Sequence, residues 1–167
     1  MSLAHRLGFV SAAALACALA APLPAGAALI MHKWLPLSVA RTIVDEAIAA
    51  CAAKGYATSA VVVDIDGETI VAMHGDGAPV HTLENARRKA YTAMTFKQTT
   101  AEYAKKLLDP ASVAHQQVTL PNVIAIPGGV PIKAGTEVIG GVGLSGSPGV
   151  DEDCVNVGLE KVKDQLQ

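Results

Sequence analysis

The stretch Thr58–His74, "TSAVVVDIDGETIVAMH", decides the fold. Two runs rich in strand-forming residues flank Asp66-Gly67, a dipeptide that tolerates the positive φ of a tight hairpin turn. The run Ala60 to Val63 is apolar at every position rather than at alternate ones. A strand with both faces covered reads that way. The first arm of the hairpin is therefore expected at the centre of a sheet, with layers packed on both sides.

The flanking segments supply those layers. Upstream, "LPLSVARTIVDEAIAACAAKG" (35–55) repeats apolar residues at Leu37, Ala40, Val44, Ala47 or Ile48, and Cys51. That spacing predicts a helix, with Ser38 as candidate N-cap and Gly55 past its end. Downstream, "TLENARRKAYTAMTFKQ" (82–98) places Leu83, Ala86, Ala90 and Ala93 on one helical face, with Thr82 as candidate N-cap. "TTAE" (99–102) has the form of a capping box opening a short helix that stops at Asp109-Pro110. "VIAIPGGVPIK" (123–133) and "EVIGGVGLSG" (137–146) read as three strands broken by Gly-Gly and Ala134-Gly135. Gly140, Gly141 and Gly143 suggest bulges, or close approach by another backbone or a flat ligand. A closing helix from Asp151, its candidate N-cap, buries Val155, Gly158 or Leu159, Val162 and Leu166. Strands interrupted by helices without strict alternation predict an α+β fold: helices packed on a largely antiparallel sheet.

The 167 residues suffice for one domain. Residues 1–27 have the layout of a secretory signal peptide. Arg6 precedes an apolar core from Leu7 to Ala21, then come Pro22, Pro24 and the small residues Ala25-Gly26-Ala27. The core is shorter than the roughly 20 residues that a spanning helix needs. Export to the periplasm or outside the cell is expected, followed by a flexible entry (28–36) and a single domain (37–167). Cys17 sits inside the apolar core, which disfavours a lipoprotein. Removing Arg6 changes 13 basic and 15 acidic residues to 12 and 15, so the net charge moves from −2 to −3. No basic run exists to hold nucleic acid. Cys51 and Cys154 remain. An exported protein can bridge them, but each lies on an apolar helical face, and two buried thiols are the favoured reading.

Several chemistries are weak. Gly143-Leu144-Ser145-Gly146 misses the spacing of a nucleophile elbow. The glycines match neither a phosphate loop nor a dinucleotide fingerprint. Asp64, Asp66 and Glu68 lack the remaining ligands of a calcium loop, and turn solvation explains them better. His32 and His115 read as a loose N-terminal residue and a surface residue. "MHGDGAPVHT" (73–82) is different. It places His74 and His81 in a turn-rich loop before a helix N-terminus, where anions are favoured. Neutral imidazole is a common iron ligand. Ordinary loop residues are the alternative.

"AVVVDIDGETIVAMHGDGAP", "TLENARRKAYTAMTF" and "GGVPIKAGTEVIGGVGLSGSPGVDEDC", in that order, resemble the GlcG/HbpS-like family of haem-binding or haem-degrading domains. The resemblance covers residues 37–166. It implies an α/β sandwich on a roughly five-stranded antiparallel sheet, assembly into tetramers or octamers, haem or a related tetrapyrrole as ligand, and in some relatives a sensor-kinase partner. Asp76, Gly77, Thr82, Lys89, Tyr91 and Thr92 match the family pattern. His74 stands where Arg is common, and His81 where a small residue is usual. Both histidines are therefore additions of this chain. On this reading haem sits between the loop and the following helix: His74 or His81 ligates iron, Arg88 and Lys89 pair the propionates, and Asp76, Thr82 and Tyr91 complete the site. Two rivals stay open. One is an enzyme or accessory protein acting on a small hydroxy acid or carboxylate, with Asp76 or a histidine as base. The other is an oligomeric signalling partner without a ligand.

Overall fold

The computed structural model describes residues 29–167, and the expected signal peptide lies outside them. In chain order the elements are α1 (Leu37–Ala52), β1 (Ser59–Asp64), β2 (Thr69–His74), α2 (Thr82–Phe96), α3 (Thr100–Lys105), α4 (Ala114–Gln117), β3 (Gly129–Ala134), β4 (Glu137–Ser145) and α5 (Asp151–Lys161). The strands form one sheet in the order β2-β1-β4-β3, and every pairing is antiparallel. As the apolar run predicts, β1 is central and buried at all six positions.

Alternation along β1 builds the two layers. Ala60 and Val62 join Val142 and Leu144 against Val39, Ile43, Val44 and Ala47 of α1 and Val155 of α5. Val61 and Val63 face the other way, onto Ala86 and Ala90 of α2. The glycines of β4 mark a close backbone approach: a side chain on Gly141 or Gly143 would strike the Ala90 or Ala86 carbonyl of α2. A third cluster, with Phe96 and Tyr103 stacked at 4.5 Å, packs Tyr103, Ala114 and Val123 beneath the long α3–β3 connection.

Some expectations need correction. The sheet has four strands because residues 123–127 join no strand; the pairing with β4 begins at the Gly128 carbonyl, which accepts from Leu144 N (2.9 Å). Side chains take the backbone before that point: Thr92 Oγ1 accepts from Ile124 N (2.9 Å), Glu152 Oε1 from Gly128 N (3.2 Å), and Arg88 donates to Val123 O (2.6 Å). The N-caps expected at Ser38, Thr82 and Asp151 fall at Pro36, His81 and Val150, none with a side-chain capping bond. The Thr99–Glu102 capping box is present.

The cysteines are also corrected: Cys51 and Cys154 form a disulfide with Cα atoms 5.5 Å apart. Both do lie on apolar helical faces. Those faces meet because α1 and α5 share one side of the sheet, where Gly158 lets α5 approach the Ile43 carbonyl of α1. The entry segment is anchored at its end by Leu35, which is 1% exposed, and His32 pairs with Glu137 at 3.1 Å.

Candidate functional site

The row His74–Ser59–Ser145 crosses three strands in register, one residue each from β2, β1 and β4. Alternation turns these positions toward α2, whose first turn carries Thr82. Two depressions flank that turn.

The first is a cavity of about 420 Å³ between the N-termini of α2 and α5. Pro79, His81, Thr82, Asn85 and Lys89 line one side. Ile126 and Pro127 line the second, and Ser145, Gly146, Pro148, Gly149 and Asp151 the third. Lys89 is 1% exposed, and its ammonium donates to Asp151 Oδ2 (2.7 Å) and Leu144 O (2.9 Å). Burial pushes Lys89 below the ordinary lysine range, against the hydrogen bond and charge of Asp151, which act the other way. The other Asp151 oxygen accepts from Ser147 N (2.9 Å) and Ser147 Oγ (2.6 Å). The floor is thus a closed set of hydrogen bonds joining α2, β4 and the start of α5. A buried ion pair persists only when satisfied in this way.

The second is a groove of about 300 Å³ on the other side of the same turn, lined by Val61, Thr69, Ala72, Val80, Leu83, Glu84 and Arg87. Arg87 grips Glu84 through two bonds (2.9 and 2.8 Å) and reaches Asn122 (2.9 Å). The hydrogen bond and charge of Arg87 hold the Glu84 carboxyl below its usual range.

The residues singled out in the sequence fall in different places. His81, Thr82 and Lys89 meet at the first cavity. His74 does not line it; its Nδ1 bonds Ser59 Oγ at 2.8 Å. Asp76 is exposed in the connecting turn. Arg88 is turned to the Val123 carbonyl. The Tyr91 ring lies over Gly67 at the hairpin turn and packs with the third cluster. The acidic hairpin tip is a turn device: Asp64 Oδ1 accepts from the backbone of Asp66 and Glu68, both at 2.9 Å. Sequence reading passed over Ser59 and Asn85, and took Asp151 for a cap. Ser59 had a usable signal, since counting outward from the Asp66-Gly67 turn pairs it with His74.

Among the described residues no cluster of three or more His, Cys, Asp or Glu could hold a metal ion. No helix among them is long and apolar enough to cross a membrane. The class is therefore an α+β domain with helices on both faces of one four-stranded antiparallel sheet and ligand-sized depressions around the start of α2.

A family model described as "Haem degrading protein HbpS-like" matches residues 35–160, and the chain belongs to that family. The crystal structure of HbpS superposes with a TM-score of 0.75 at 32% identity, covering 80% of this chain and 94% of that one. A PduOC:heme complex superposes at 0.71 and 22% identity, covering 77% and 94%, a likeness of fold alone. An uncharacterized 15.0 kDa protein from the dhaT-dhaS intergenic region of Citrobacter freundii is 34% identical over 93 residues. That match spans 55% of this chain and 65% of that protein's length.

Proposed function

We propose that the protein is an exported tetrapyrrole-binding protein that takes haem at the start of α2, for sensing or handling of haem iron. The observation that carries this reading is the placement of two imidazoles at the start of α2, His81 lining the first cavity and His74 two residues along β2 from Ala72 of the groove, in a chain of a haem-linked family. The donor set fits the group. An isolated imidazole holds iron where a macrocycle supplies the equatorial ligands. The depressions have walls of Val, Leu, Ile, Pro and Ala that suit a flat apolar ring. Bound haem would supply redox and ligand-binding chemistry at its iron. His74 or His81 would hold it, beside the apolar side chains of the depressions.

The basic residues bear on how propionates are held. Lys89 is occupied by Asp151 and Leu144, and Arg88 by Val123. Arg87 lines the groove but is likewise engaged, by Glu84 and Asn122, so a propionate would have to share one of these cations with its present partner. The Cys51–Cys154 disulfide supports the export reading, because such bonds persist in oxidising compartments. Self-association into tetramers or octamers, and contact with a sensor kinase, belong to the same proposal through the family.

Titration with haemin tests it. The intact domain is expected to give a histidine-ligated Soret band at one haem per chain. The His74→Ala/His81→Ala double variant should leave the free-haemin spectrum. A spectrum unchanged from free haemin in the unmodified protein would rule the reading out.

A further inference from the structure

We infer that His74, and not His81, is the iron ligand, that it presents Nε2, and that Ser59 and Thr82 are its positioning residues. This rests on the tetrapyrrole reading above and commits it to one nitrogen.

The inference comes from counting hydrogens along a buried relay. Thr82 Oγ1 lies 2.7 Å from the Pro79 carbonyl, which has no hydrogen to give, so the Thr82 hydroxyl donates there. Thr82 Oγ1 also lies 2.8 Å from Ser59 Oγ. Its hydrogen being spent, Thr82 accepts and the Ser59 hydroxyl donates. Ser59 Oγ is in turn 2.8 Å from His74 Nδ1. With its own hydrogen committed to Thr82, Ser59 accepts, and Nδ1 carries the hydrogen. One assignment satisfies all three contacts, and it leaves Nε2 of the neutral ring with a free lone pair. Ser59 and Thr82 are both 0% exposed, so water does not compete for the relay. Metal-ligating imidazoles are commonly held in this way, with the second nitrogen donating to a fixed acceptor. His74 and His81 are both exposed, but His81 has no side-chain hydrogen bond to fix its ring.

The surroundings of His74 agree. His74 and Ala72 share the α2-facing side of β2, about 7 Å apart along the strand. Ala72 lines the 300 Å³ groove together with Val80 and Leu83. Val80 is 93% exposed, an apolar side chain left open beside the imidazole loop. A flat apolar ring carried on Nε2 would cover it.

Two measurements decide. In ligand-free protein, ¹H–¹⁵N correlation spectra of the His74 ring should show the Nδ1–H tautomer. Thr82→Val frees the Ser59 hydroxyl to donate to Nδ1 and should move the ring toward Nε2–H. A native ring already in the Nε2–H form would overturn the relay. In haemin titrations His74→Ala should abolish the histidine-ligated spectrum, and His81→Ala should leave affinity within about twofold. Ser59→Ala and Thr82→Val, checked for unchanged thermal unfolding, should weaken binding about 10- to 100-fold. Ligation that survives His74→Ala and disappears in His81→Ala leaves the tetrapyrrole reading standing and overturns the assignment to His74. A wild-type chain that never ligates haemin overturns both.

Discussion

At the scale of single residues, Lys89 and Asp151 show how the site is held. Asp151 accepts three hydrogen bonds and neutralises a fully buried ammonium. Asp151→Ala strands that charge, and the expected loss is about 3–5 kcal/mol of stability in denaturant unfolding. A loss below about 1 kcal/mol would mean that water or another group reaches Lys89. The pH dependence has a definite sign. The folded-state pKa of Lys89 is lowered, so between that value and the unfolded value near 10.5 the unfolded chain binds more protons. The contribution of Lys89 to stability therefore increases as pH rises through this window. Lys89→Met should remove that upward slope in unfolding curves measured from neutral to alkaline pH. The sequence grouped Lys89, His81 and Thr82 with His74, Asp76, Arg88 and Tyr91, and only the first three line the cavity. Sequence reading did not find their partners, because Ser59 and Asp151 reach them across the sheet from elements remote in the chain.

At the scale of elements, the contact between α2 and β4 is the most sharply specified in the molecule. Gly141 and Gly143 let α2 rest on the strand with its Ala86 and Ala90 carbonyls over bare Cα atoms. Gly143→Ala forces the helix outward. It should cost about 1–3 kcal/mol or more as overpacking, with loss of haemin binding because the first turn of α2 shifts. Unchanged melting and binding would show that the helix has slack. This packing was half legible: glycines in a β-run imply close approach, but not by what. The hairpin, the central strand and the long helices were legible because their periodicities are local. The missing fifth strand was not. Residues 123–126 have strand composition, yet Thr92 and Arg88 of α2 take backbone groups that a sheet neighbour would have used.

At the scale of the whole molecule, the disulfide ties α1 to α5 across a sequence separation of 103 residues. Closing a loop of that size removes about 4–5 kcal/mol worth of unfolded-chain entropy in the chain-entropy model. Cys51→Ala/Cys154→Ala should lower the unfolding midpoint substantially in denaturant melts, and reductant should then have no further effect. Equal stability of the two forms would argue against the bridge. The sequence offered the bond only as the less favoured alternative to two buried thiols, because helical faces say which residues are buried, not which helices lie side by side. With its closure next to Ser147 and Asp151, the disulfide also steadies the α5 end of the cavity.

The central claim is that the start of α2 holds a tetrapyrrole. Its most direct test is the absorption spectrum of the protein purified from its own host, with mass spectrometry of whatever acid denaturation releases. The account predicts a Soret band and a released mass belonging to haem or a related tetrapyrrole. A protein carrying a different small molecule at full occupancy would contradict it.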